Sequence, residues 1–272
     1  MKKSITIVFM ILMIKTYAGG PWTPKKGGGY FQLQPTIPIG TYNELFLKNN
    51  KDLVLNYNVT DFNFDAYLEY GISDRLAFIG TASAKYVAAK NNTINKSLFA
   101  AGNQKLALKY KLREKKTLTS ISVNSEIYTS SANLDYGLST GYMSNAVGLM
   151  LHHGGSINAK SYLFVEGGYF YRTHNYSDEI RITTEYGYKI KPKIWLAAVF
   201  DIKESTFNGK KKTPELEQTG LYPNNQEYFA WGGKFIYESE KQYGLSISSF
   251  GAFSGNYVAH LATLNIGVYK KW

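Results

Sequence analysis

His152, His153 and Ser156 are the residues of this 272-residue chain whose types could do covalent chemistry, since an imidazole can take a proton from a serine hydroxyl and make it a nucleophile. Such a pair also needs a third group to orient the base, and residues 152–158 offer no carboxylate for that role. Neighbouring residues of a strand point to opposite faces, so the two histidines are no better placed as metal ligands, and no cofactor is implied. The other chemistry is ionic. Asp65, Glu69, Arg75, Lys85, Lys105, Lys109, Lys111, Glu126, Glu166, Arg181, Glu185, Asp201, Lys203 and Lys234 all fall on the polar side of segments whose other side is apolar. Eight are basic and six acidic. On the wall of a lumen they would line a narrow polar pathway; paired with one another they would plug it. Both readings stay open at this stage.

The segments that carry these residues read as strands. Across 62–86, Phe62, Phe64, Ala66, Leu68 and Tyr70 alternate with polar residues. After a turn at Ser73-Asp74, Leu76, Phe78, Gly80, Ala82, Ala84 and Tyr86 do the same. Each arm is about ten residues long, the length a tilted strand needs to cross a bilayer. Strands are expected at 30–39, 62–71, 75–86, 102–112, 117–128, 145–153, 161–172, 179–188, 194–203, 226–237, 243–251 and 257–272. Pro35 and Pro38 predict a bulge or an early end in the first, and Gly154-Gly155 ends the sixth. Five short connections alternate with six longer ones, among them 41–58, 87–101 and 204–225. A closed antiparallel up-and-down transmembrane β-barrel of twelve strands has this order; a soluble sandwich has no reason to sort its loops by length.

Composition agrees. The chain has 23 tyrosines, 25 glycines and 15% aromatic residues at a mean hydropathy of −0.27, as expected where apolar residues occupy alternate positions. Tyr70, Tyr86, Tyr110, Tyr171, Tyr188, Trp231, Tyr237 and Trp272 are the candidate interface anchors. The glycines beside tyrosines, as at Gly168-Tyr169 and Tyr186-Gly187-Tyr188, are expected to leave room for a ring from the next strand. Residues 1–18, with Lys2, Lys3 and an apolar run from Ile5 to Ile14, fit a secretory signal peptide, leaving 19–272 as one barrel domain. From residue 19 on there are 28 basic and 20 acidic residues, a net charge of +8, but no nucleic-acid motif and no basic stripe. The run Lys210-Lys211-Lys212 reads as a solvated loop, and the absence of cysteine excludes a disulfide framework.

The last strand, VAHLATLNIGVYKKW, resembles the C-terminal signature of Gram-negative outer-membrane barrels, in which an aromatic residue ends an alternating strand; Lys270 departs from it. The hairpin YLEYGISDRLAFIG resembles one that recurs in small transporter-like barrels of twelve strands. The resemblance implies export to the outer membrane, contact with its lipid, insertion by the barrel assembly machinery, and a porin-like role in transport of a small solute. A closed structural or adhesive barrel is the alternative. Outer-membrane phospholipase A, a twelve-stranded barrel with a catalytic histidine and serine, makes a lipid-modifying enzyme the third, although the spacing of His152, His153 and Ser156 departs from it.

Overall fold

The computed structural model describes residues 19–48, 51–212 and 219–272. The candidate signal segment lies outside them. After an arm at 19–28 come β1 (Gly29–Pro38), β2 (Lys51–Gly71), β3 (Leu76–Lys90), β4 (Gln104–Glu114), β5 (Leu118–Ile127) and β6 (Ala146–Asn158). Then follow β7 (Ser161–Arg172), β8 (Glu179–Lys191), β9 (Ile194–Ser205), β10 (Glu227–Glu238), β11 (Tyr243–Asn256) and β12 (Ala262–Lys271). Each pairs antiparallel with its neighbours in sequence, and β1 pairs with both β2 and β12, so the sheet closes on itself. The fold is a transmembrane barrel of twelve strands.

Closure rests on the alternation. Leu106, Leu108, Tyr110 and Leu112 of β4 point outward, as do Val147, Leu149 and Leu151 of β6, where Leu149 and Leu151 are 54% and 53% exposed. So much apolar surface turned outward all round is stable against acyl chains and not against water. The connections sort by end. Five turns of two to four residues join strands at one end, while the loops at the other run from five residues, at 257–261, to 21 residues, at 206–226.

Several strand ends differ from the sequence reading. Residues expected in the first long loop form a strand, Tyr42–Leu47, paired with β2, which itself starts at Lys51. Likewise β3 continues to Lys90 and Asn95–Ala101 folds back on it, where a loop at 87–101 was expected. The asparagines there read as loop, but Asn91 closes a tight turn: its Oδ1 accepts the N–H groups of Thr93 and Ile94 at 2.9 and 2.7 Å. These extensions carry their own small cores, Tyr42, Leu45, Leu55 and Val59 in one and Tyr57, Val87, Ala89 and Leu138 in the other. β1 makes no bulge at Pro35, the register running unchanged from Leu33↔Val268 to Thr36↔Asn265, and it ends at Pro38. β12 begins at Ala262, five residues later than expected, because Val258–Ala259 pairs with Tyr42–Leu47 instead.

Gly154 and Gly155 do not end β6, which runs on to Asn158. A Cβ at Gly154 would sit 2.5 Å from the Leu163 carbonyl, so glycine lets two strands approach. At Gly187 an added Cβ would overlap the ring of Tyr162 on β7, as expected; Gly168 faces Met150 rather than a ring. Overpacking of this kind costs about 1–3 kcal/mol. Gly187→Val is therefore expected to lose its heat-modifiable gel mobility at a lower temperature than wild type, and Gly233→Val, with nothing within 4 Å of its built Cβ, to match wild type.

Candidate functional site inside the barrel

The inward side chains form three tiers. At the short-turn end, strands β1 and β7 to β12 surround a chamber of about 360 Å³. Trp22, Tyr30, Tyr162, Phe164, Trp195 and Tyr269 give it aromatic walls. Trp22 stands edge-on to Tyr162 and Phe164 at 5.8 and 5.7 Å, and Tyr30 stacks on Tyr269 at 5.1 Å. Gln32, Gln34, Ser246 and Ser248 supply neutral donors and acceptors. The carboxylates are already engaged: Glu185 with Lys234 at 2.6 Å, and Glu238 with Lys271. Lys189 lies 5.6 Å over the Trp195 ring and has no carboxylate partner among the described residues. The chamber is thus apolar on its faces and polar along its edges.

One wall of the chamber comes from the arm. Gly19 donates its N–H to Glu69 Oε1 at 3.2 Å, Lys109 Nζ donates to the Gly20 carbonyl at 3.2 Å, and Ser120 Oγ to the Pro21 carbonyl at 2.9 Å. These bonds fasten the arm to β2, β4 and β5, and Trp22 then reaches across to β7. Glu69 and Lys109, 3.7 Å apart, are each 1% exposed. Above them lies a hydrogen-bonded relay. Ser122 Oγ is 2.8 Å from His152 Nε2, and His152 Nδ1 is 2.8 Å from Glu166 Oε2. Asn124 Nδ2 donates to Ser122 Oγ at 2.9 Å. Glu166 sits opposite His152 in the β6–β7 register, and Ser122 lies two places along β5 from the residue opposite it.

The top tier is ionic. Arg172 and Arg181 each reach both Glu126 and Glu179, at 2.6–3.0 Å, and Lys203 is 3.8 Å from Glu179. Tyr142, from the loop after β5, lies 4.0 Å under the Arg172 guanidinium. On the opposite wall Lys85 pairs with Asp61 at 2.8 Å and meets Tyr222 beside a second cavity of about 300 Å³.

Of the sequence candidates, Glu69, Lys85, Lys109, Glu126, Glu166, Arg181, Glu185, Lys203 and Lys234 take part in these contacts. Asp65 bonds Ser83, and Asp201 accepts from Thr183 at 2.9 Å and Tyr228 at 3.1 Å. Lys105 shares the inward parity of Lys109 and stands opposite Glu126 in the β4–β5 register, though its side chain is exposed, and Lys111 pairs with Glu114 at 2.5 Å near the short turn. Arg75 is a correction. It lies exposed in the turn before β3, because Ser73 Oγ accepts the N–H groups of Arg75 and Leu76 and starts the strand one residue later. Tyr70, Tyr86, Tyr110, Tyr171, Tyr188, Trp231, Tyr237 and Trp272 all point outward.

His152 is buried and His153 exposed, the latter bonded to Thr119 at 2.9 Å on the outer side, so they share no site. Ser156 is exposed too, and the serine that meets His152 is Ser122. Sequence reading also missed Arg172 and Glu179, which share the parity of Glu166 and of Arg181 but stand at the very ends of their strands.

No family model and no curated protein matches this chain. Solved structures match its shape. An outer-membrane channel from Pseudomonas putida F1 superposes with a TM-score of 0.73 at 14% identity, covering 95% of this chain and 100% of its own. The NanC porin gives 0.56 at 7% identity over 89% and 100%, and the KdgM porin, solved in complex with disordered oligogalacturonate, 0.53 at 6% over 89% and 99%. At such identities the likeness is one of fold.

Removing one partner from a buried ionic cluster costs about 3–5 kcal/mol, whereas an exposed pair is worth about 0–1 kcal/mol. Glu179→Gln, at a side chain 5% exposed, is expected to lower the temperature of barrel unfolding in detergent far more than Glu240→Gln, whose pair with Lys193 is exposed.

Proposed function

We propose that the protein is an outer-membrane barrel that binds a small solute with apolar faces and polar edges and passes it inward. The observation that carries this reading is the aromatic chamber, whose shape and mixed lining suit such a molecule. The similar structures are a channel and porins, which supports it, as does the sorting of loops, which would set the short turns and both described chain ends in the periplasm. In this reading the ionic tier narrows the entrance and the arm closes the exit. Trp22 is then both wall and gate.

The measurement is conductance and solute uptake in a planar bilayer and in liposomes. Wild type should conduct weakly. Trp22→Ala, which removes the aromatic bridge to β7, should raise conductance severalfold while weakening solute binding. A barrel that neither conducts nor takes up solute in either form would favour a closed structural role.

The relay favours a second reading, hydrolysis of a small ester. Ser122, His152 and Glu166 stand in the order that acyl transfer needs, with Asn124 as a donor beside the serine oxygen. Ser122 is only 2% exposed, under the arm. Treating the barrel lacking residues 19–23 with a fluorophosphonate decides: labelling that is lost in Ser122→Ala and in His152→Gln supports hydrolysis, and no labelling ends it.

A further inference from the structure

The excess positive charge of this chain is not spread over its surface. Take the short-turn end as the arm, the five turns, the last residue and the four strand residues flanking each of these. It holds fourteen basic and five acidic residues, while the rest of the chain from residue 19 holds fourteen basic and fifteen acidic. The net charge of the whole therefore sits at one end. It also runs all the way round. Arg75, Lys116, Lys160, Lys191 and Lys241 place at least one exposed cation at or beside each of the five turns, with Arg113 and Lys115 exposed next to Lys116, and Lys270 places one at the β1–β12 seam. None of these has a carboxylate within 4 Å among the described residues. Outward aromatic residues accompany them: Tyr188, Tyr237, Tyr243 and Trp272 lie within four residues of the turns or the chain end, and Lys270 Nζ is 5.1 Å over the Tyr243 ring.

From this geometry we infer that the short-turn rim is a binding site for anionic phospholipid, the phosphodiester headgroups of one leaflet seated on the ring of lysine and arginine. Aromatic residues mark the height at which acyl chain gives way to headgroup, and unpaired cations at that height meet phosphates. A protein partner would cover one side of the rim and would need a patch. A lipid annulus contacts every strand, which is what a ring with a cation at every turn fits. The inference needs the barrel to span a bilayer and is independent of what passes through it.

Tryptophan quenching tests it, because Trp272 points outward at this rim, while Trp231 points outward nearer the loop end and reports on the other leaflet. The full barrel is placed in bilayers of phosphatidylethanolamine containing a minor fraction of acyl-brominated phosphatidylglycerol, or the same fraction of brominated phosphatidylcholine. Each cation near an anionic surface favours binding by roughly fivefold, so phosphatidylglycerol should quench as though enriched about fivefold or more around the barrel. The preference should fall at molar salt. It should decline stepwise as Lys160→Gln, Lys241→Gln and the remaining ring positions are combined, each variant being checked for heat-modifiable mobility. Millimolar glycerol phosphate should not compete, and if it does, the site takes soluble phosphate and the inference fails. Equal quenching by the two lipids overturns it. So does a preference erased by one substitution alone, since that describes a patch and a one-sided partner.

Discussion

Within hydrocarbon there is no water to satisfy a backbone N–H or C=O, and each group left open costs several kcal/mol. This constraint fixes the architecture before any side chain is considered. A sheet can meet it only by having no edge, so β1 must find β12 as well as β2, and it does so from Tyr30↔Lys271 to Pro38↔Thr263. Proline contributes no N–H, and Pro38 stands where the ladder can stop, at the loop end of β1. An even number of strands then returns the chain to the end at which it entered. Trp272 and Gly29 meet there through reciprocal backbone hydrogen bonds of 3.1 Å.

Closure creates a second problem inside. A ring of twelve strands is wider than the eight whose side chains can fill the interior, and narrower than the sixteen that leave a water-filled pore. The protein fills the difference with residues that do not belong to the wall. Tyr142 and Tyr222 descend from the loops to meet Arg172 and Lys85, and Trp22 enters on the arm from the other end. Charges stay tolerable in this partly dry space because they are shared. Arg172 and Arg181 hold the same two carboxylates, so neither ion depends on a single partner. Between the ionic tier and the arm, the interior is held by the Ser122–His152–Glu166 hydrogen bonds, the Glu185–Lys234 pair and aromatic contact.

The alternation of residue types made the barrel, its strand count and its facing legible in the sequence, because period-two patterning is a local property. What escaped was set by contacts between distant segments. Asn91-Asn92 reads as a loop until Asn91 is seen capping a hairpin that lengthens β3. Along the chain His152 falls beside Ser156, four residues away, whereas its partners lie thirty and fourteen residues off on the two adjacent strands. In a sheet the nearest side chains are across the ladder, so a motif read along the chain looks in the wrong direction. Arg75 failed for a smaller reason, a turn that closes one residue later than the alternation suggested. The arm gave no signal of its position, since glycine and proline say only that a segment is irregular.

In the proposed role the arm is where stability and passage come into conflict, and the magnitudes decide how. Three hydrogen bonds hold its residues 19–21, one to Glu69, one from Lys109 of the same buried pair and one from Ser120, together with the edge-on contacts of one tryptophan. At about 0.5–1.5 kcal/mol for an ordinary bond and about 1.5–3 for one to a charged group, the polar contacts are worth roughly 4–8 kcal/mol. That keeps the released state rare, on the order of one molecule in a thousand or fewer by the factor of ten per 1.4 kcal/mol. A solute that took the place of Trp22 against Tyr162 and Phe164 would recover the aromatic contact and leave only the bonds to β2, β4 and β5 to break. On the proposed reading, occupation of the chamber would therefore lower the cost of opening it, and the side chain that lines the chamber would make its own release depend on the chamber being filled.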